Sequence, residues 1–323
     1  MRKILDVKEP LISCYTAYGT LFSILPKELD PWIYSNFIQL VYNELWGTYT
    51  FEGHKFLLED CPGFRIYKTQ RGKIEDDGKT LINMIRNAID VDEYVYFFVD
   101  KYYISADKLY HGKQHFEHEL LIYGYDEDVD ILYVADNFAD GKFAFSTCPS
   151  TDVEKGFMLL DGSKSYTEDF RTFKILRNEY PLDIKKIKHD LNAFLTSQKA
   201  YYMNKEQEMI FGVEIFDNME KQLNRRVADG RPIDVRGFHM LYEHLLLMKE
   251  RVKYMMGKKH IVEDSNLLAF IRLTTEEALL LRNLAIKYLI NQNKNTLTNI
   301  FEKLGKLKND EISIFTEILA KMG

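Results

Sequence analysis

The 323 residues are 46% hydrophobic and 28% charged, with only 7 prolines, enough apolar matter to bury one large core or two modest ones. The net charge of −6 argues against nucleic acid as the main partner, and the longest strongly apolar run, YVYFFV at 94–99, is far too short to cross a membrane. The start, MRKILDVKEP, lacks the apolar stretch of a secretory signal, and the three scattered cysteines form neither a disulfide framework nor a zinc-binding CxxC pattern. The expectation is a soluble, cytoplasmic chain with free thiols.

In chain order, the first element follows ISCYTAYGTLF at 12–22. Tyr18, Leu21 and Leu25 stand 4, 7 and 11 residues after Cys14, which describes a helix entering the core with Cys14 at or near its N-terminus. Short aromatic and β-branched runs come next: EYVYFFV, HELLIYGY, DILYVAD and KFAFS, which read as strands. DEDVD at 126–130 and ADG at 139–141 read as turns, so residues 118–147 form an antiparallel meander. FVDKYYI at 98–104 reads as the continuation of a core strand, which makes Asp100 and Tyr102 candidate substrate contacts.

Near Pro181 the period becomes helical. Ile184, Ile187, Leu191 and Phe194 share one spacing, as do Ala278, Leu281, Ala285 and Tyr288, and Ile312, Phe315, Leu319 and Met322. Four to six amphipathic helices are expected there. Charge changes sign at the same place: residues 181–323 carry 23 Lys and Arg against 19 Asp and Glu, whereas residues 1–180 carry 20 against 30. The expected organisation is an α+β protein with a domain at 1–180, containing an antiparallel sheet, and an α-helical domain at 181–323. No internal repeat and no low-complexity segment interrupts it.

Cys14 is the residue with most chemical promise. The unpaired amides and dipole at a helix N-terminus favour an anion, here a thiolate, and a thiolate nucleophile needs a base, normally histidine, with a group to orient it. His118 opens the strand ELLIYGY, and Asp136 closes the next strand at VADN, 18 residues on. Across a hairpin these two come within hydrogen-bonding reach, the acid fixing the imidazole tautomer and steadying its positive charge. Asn137 is the alternative third member, and His115 the alternative base. His111, His115 and His118 also spell H-x3-H-x2-H, a zinc-like spacing, but Gly112 and the strand that follows do not suit two histidines on one helix face. Cys61, before Pro62-Gly63, and Cys148, before Pro149, have no basic neighbour in sequence and read as structural. No glycine loop of the phosphate-binding kind is present, so no cofactor and no metal are expected.

Cys14 ahead of a helix, then His-x5-Gly-Tyr-Asp at 118–126, then Asp136 after a second strand, resembles the Cys, His, Asp/Asn order of papain-like cysteine peptidases. More narrowly, Cys14 with HELLIYGYD and VADN resembles the butirosin biosynthesis protein H family over roughly residues 10–150. That family uses a papain-like fold for acyl transfer, with relatives in closthioamide-type thiotemplated pathways. The resemblance implies Cys14 as nucleophile, His118 as general base and Asp136 as orienting acid. It also implies an acyl or peptidyl carrier protein with a phosphopantetheine-bound acyl group as donor, and a small-molecule amine as acceptor. One departure is plain: no glutamine precedes Cys14 to complete an oxyanion hole, since Gln39 and Asn43 follow it, which leaves the backbone N–H of Cys14. The helical domain is expected to cover the site and exclude water, and its basic clusters at 185–189, 224–226 and 249–260 are candidate docking points for an acidic carrier. Two other readings fit the same residues: a cysteine peptidase or thioester hydrolase, and a non-catalytic papain-like scaffold.

Overall fold

The computed structural model describes residues 1–54, 57–76, 80–139, 141–160, 164, 167, 169–200 and 209–322. In chain order its elements are β1 (Arg2–Ile4), α1 (Thr16–Ile24), α2 (Asp30–Ser35), β2 (Leu40–Asn43), β3 (Thr48–Phe51), β4 (Phe64–Gln70), α3 (Arg71–Asp76), α4 (Leu81–Asp90), β5 (Glu93–Asp100), β6 (Glu117–Asp126), β7 (Ile131–Ala139), β8 (Lys142–Pro149), α5 (Ser150–Met158), β9 (Asp169–Ile175), α6 (Ile184–Leu195), β10 (Met209–Phe211), α7 (Glu214–Ala228), α8 (Arg236–Gly257), α9 (Ser265–Asn291) and α10 (Lys294–Lys321). Single 3-10 turns lie at Lys27–Leu29 and Lys101–Tyr103. The protein is therefore mixed α+β, with antiparallel sheets and a helical C-terminal part. Among the described residues, no helix is long and apolar enough to cross a membrane.

The chain divides into two compact units, Met1–Lys27 with Phe56–Asn178, and Glu28–Lys55 with Glu179–Gly323. Residues 28–55, expected with the first unit, group with the second. The reason is strand pairing: β2 sits between β3 and β10 in a three-stranded antiparallel sheet, with Asn43 opposite Met209 and Phe51 opposite Leu40.

The first unit is built on a sheet ordered β4-β9-β5-β6-β7-β8, with β1 also paired to β6. The meander forms as the alternating pattern predicts: Asp126 faces Ile131 across the DEDVD turn, and Ala139 faces Lys142 across the next connection. Residue 140 of the ADG turn lies outside the described residues. FVDKYYI departs from expectation. The strand ends at Asp100, whose carboxylate accepts from the Tyr102 N–H at 3.0 Å and starts the 3-10 turn, an Asx-type bond that competes with further strand pairing. Gly124 marks a bulge in the β6–β7 register; a Cβ there would stand 2.7 Å from the Lys3 carbonyl on β1, so only glycine admits the close approach of β1.

α1 packs against β6 and β7. Eight of its nine residues are buried, so packing on every side, rather than one apolar stripe, holds this short helix.

In the second unit, α8 packs against α9, α9 against α10, and α8 against β3. The predicted stripe on α9 is buried as read, but α10 is rotated from expectation: its buried face runs through Leu304, Leu307, Glu311, Ile314, Phe315 and Ile318, while Ile312 and Leu319 are half-buried. A buried glutamate in the middle of that face hides it from an apolar pattern. The basic cluster at 249–260 also contains a residue that is not on the surface. Arg251 is fully buried and donates to the carbonyls of Tyr34, Asn36 and Phe37.

Candidate functional site

The β6–β7 register sets Ala135 opposite Leu121. Continued by one residue, it puts Asp136 opposite Leu120, so that Asp136 and His118 become diagonal neighbours on one face of the sheet. The side chains meet accordingly, with His118 Nδ1 at 3.0 Å from Asp136 Oδ1 and 3.2 Å from Oδ2. The β7–β8 register breaks immediately after Asp136, the kind of irregularity that re-aims a side chain. The predicted histidine and acid are thus brought together.

Asp136 has no exposed surface, whereas the His118 side chain retains 23% of its own. Burial alone would raise the Asp136 carboxyl pKa, but the His118 charge and hydrogen bond, the Lys101 ammonium and the Thr16 hydroxyl outweigh it and bring it down to about 2. Burial likewise works against the His118 cation, yet the Asp136 charge and hydrogen bond hold its pKa above the ordinary value. A permanent carboxylate thus sits behind an imidazole that readily keeps its proton. The ring is steadied from one side by Phe116, stacked at 5.5 Å between centroids, with Tyr110 stacked on Phe116 in turn. Beyond Nδ1, the other ring nitrogen has Glu119 Oε2 at 3.8 Å, outside hydrogen-bonding range.

Cys14 lies in a bend two residues before α1, rather than on the helix, and is 7% exposed. The connection to the pair runs through Thr16, the first residue of α1, whose Oγ1 donates to Asp136 Oδ1 at 2.5 Å. Two residues of chain span at most about 7 Å. The thiol-bearing residue is therefore a near neighbour of the residue that grips the orienting acid, and the positive end of α1 lies between them. Cys61 and Cys148 are both buried; burial pushes the Cys61 thiol up to about 12 and raises that of Cys148, which also contacts Ser105. Neither suits a nucleophile.

The remaining candidates separate. Asn137 does not replace Asp136: its backbone N–H donates to Asp136 Oδ1 at 2.6 Å, and its side-chain oxygen accepts from Thr16 at 3.2 Å. His115 serves a different carboxylate, with Nδ1 at 2.5 Å from Asp100 Oδ2 and its ring stacked on Tyr102, so the H-x3-H-x2-H spacing is divided between two aspartates. Among the described residues no group of three His, Cys, Asp or Glu side chains is arranged to hold a metal ion. Gln39 and Asn43 belong to the second unit and are engaged there, Gln39 with the Gln198 carbonyl and Leu40 N–H, Asn43 with the Trp46 N–H.

Sequence reasoning missed three members of the cluster. Thr16 was legible only as the helix start. Lys101 was hidden in an apolar run read as strand, and Asp107 in a loop. Lys101 Nζ lies 2.9 Å from Asp136 Oδ2 and 2.8 Å from Asp107 Oδ2, with all three residues essentially inaccessible. The one available signal for Lys101 was a charged residue inside FFVDKYYI, which is rarely buried without a partner. No protein-family model matches the chain, and no curated protein matches it.

Proposed function

We propose that the protein is a papain-like, cysteine-dependent acyltransferase that takes an acyl group from a carrier-protein thioester onto Cys14 and passes it to a small-molecule amine. The observation that carries this reading is the shared carboxylate: Asp136 Oδ1 binds both His118 Nδ1 and the hydroxyl of Thr16, two residues after Cys14.

In the first half-reaction the Cys14 thiolate attacks the thioester carbonyl, and the tetrahedral intermediate expels the pantetheine thiolate, which takes the proton from His118. One thioester replaces another, so no external energy source is required. In the second, the amine attacks the acyl-Cys14 carbonyl, His118 accepts the amine proton, and the Cys14 thiolate leaves as the amide forms. Asp136 holds the imidazole tautomer and stabilises the imidazolium in both. The amide is the more stable product, which gives the sequence its direction.

Intact-mass measurement after incubation with acyl-pantetheine thioesters tests the reading. An acyl adduct is expected on the wild type and absent in Cys14→Ala, with discharge accelerated by an amine. His118→Ala should slow loading by about 10²–10⁴-fold, and Asp136→Ala by less. Rapid discharge in water alone selects the hydrolase reading, and no adduct from several acyl donors rejects nucleophilic catalysis by Cys14.

A further inference from the structure

We propose that Lys101 and Asp107 are a charge-compensated positioning pair: the Lys101 ammonium fixes the Asp136 carboxylate, while Asp107 balances the ammonium so that Asp136 keeps its attraction for a protonated His118. The inference goes beyond the acyltransferase reading and borrows from it only the role of His118 as the base.

The geometry states the problem that such a pair solves. A buried carboxylate needs donors on both oxygens. Asp136 Oδ1 receives Thr16 Oγ1 and the Asn137 N–H, and Oδ2 receives Lys101 Nζ at 2.9 Å. An ammonium at that place is a strong anchor, but it also opposes an imidazolium on the same carboxylate. The two cations lie within about 6 Å of one another, since each contacts Oδ2, and at this depth a charge is little screened. Left alone, Lys101 would cancel much of what Asp136 offers His118.

Asp107 removes that conflict. Its Oδ2 stands 2.8 Å from the same Nζ, and its Oδ1 is pinned by the Leu109 and Tyr110 N–H groups at 2.9 and 3.1 Å. The lysine is thus shared between two carboxylates, with the rings of Tyr110 and Phe138 flanking it. Two buried anions and one buried cation leave a net charge of −1, which a protonated His118 neutralises. The other charged group near His118 does not upset the balance: Glu119 of its own strand favours the cation from 3.8 Å. The Cys14 thiol precedes Thr16 on the α1 side. The Lys101 charge lowers the His118 pKa, and the Asp107 charge, 2.8 Å beyond it, acts on the same imidazole with the opposite sign.

Imidazole titration by NMR on the full chain, with ¹⁵N-labelled histidine and His118→Gln to assign the signal, reads the balance without any acyl donor. Lys101→Met should raise the His118 pKa and Asp107→Asn should lower it, each by about half a unit or more. The double variant K101M/D107N removes a neutral pair and should return the pKa to within a few tenths of wild type. Loading of Cys14 in that double variant should still fall several-fold at every pH, because the anchor is gone. Shifts of the same sign in the two single variants, or a double variant displaced as far as either, overturn the proposal. A pair that only supports the fold would lower the unfolding midpoint and leave the titration in place, which also overturns it. If no acyl adduct forms on the wild type, the acyltransferase reading falls while the titration results still decide this one.

Discussion

The Thr16 hydroxyl donates to the Asp136 carboxylate at 2.5 Å across 120 residues of chain. Thr16 is the first residue of α1, and Asp136 stands where the β7–β8 register breaks, so this hydroxyl, which also reaches Asn137 Oδ1 at 3.2 Å, ties the start of the helix to the sheet irregularity that aims the acid. Hydrogen bonds to charged groups contribute about 1.5–3 kcal/mol. Thr16→Val, which keeps the shape and deletes the donor, should lower stability by roughly that amount and slow Cys14 loading, whereas Thr16→Ser should restore most of both. Urea unfolding alongside the mass assay checks it; a Val variant that loads at the wild-type rate would separate the bond from the chemistry.

The His118–Asp136 pair also sets a pH window. The His118 pKa is raised on folding, so its stabilisation is complete below its unfolded value of about 6.5 and is lost as pH rises through the higher folded value. The Asp136 carboxyl falls from 3.8 to about 2, so its contribution, about 2–3 kcal/mol from the linkage relation, is present above 3.8 and is lost as pH falls toward 2. Stability from the pair should peak between about pH 4 and 6.5. Urea midpoints measured from pH 3 to 9 should show an alkaline decline that His118→Gln abolishes; an unchanged decline in that variant assigns it elsewhere.

Much of this unit was legible because local rules agree with the fold. Period-two runs of Tyr, Phe, Val and Ile bounded by Asp and Gly give β5 to β8, and a hairpin makes the meeting of His118 with Asp136 a matter of counting. What was hidden depends on distant chain. β2 pairs with β10, and nothing near 40–43 announces a partner beyond residue 200. Glu311 and Arg251 are buried charges inside helices, which an apolar stripe omits. Lys101 is of the same kind: its two carboxylates come from a later loop and a later strand, and they exist as partners only once the sheet has closed.

Gly19 in α1 shows how tightly the helix meets the sheet. A Cβ there would fall 2.6 Å from Cγ of Phe143 on β8, with a ring that is itself 9% exposed and has little room to yield. Gly19→Ala gains about 0.5–1 kcal/mol of helix preference, but overpacking of this kind costs about 1–3 kcal/mol. The expected net result is destabilisation, together with slower Cys14 loading as the N-terminal end of α1 shifts. Combining Gly19→Ala with Phe143→Leu should recover stability, measured by thermal unfolding. A single variant more stable than wild type would show that the ring moves aside freely.

In the second unit, Arg251 is a clamp rather than a surface charge. Its Nε donates to the Tyr34 carbonyl at 2.7 Å, and its Nη2 to those of Asn36 and Phe37 at 2.5 and 3.1 Å, across a turn where Phe37 adopts a left-handed φ of 56°. Burial lowers its pKa to about 9, which still leaves it cationic at neutral pH. The three carbonyls supply what the lost hydration no longer does. A planar guanidinium reaches all three, and a lysine ammonium on a narrower stem does not. Arg251→Met should therefore cost about 3 kcal/mol or more by orphaning buried acceptors, and Arg251→Lys should recover only part of it. Hydrogen exchange of the amides following Phe37, in β2, should accelerate in both variants. Protection there equal to that of the wild type, with an unchanged urea midpoint, would mean that the turn holds itself and the arginine merely fills space.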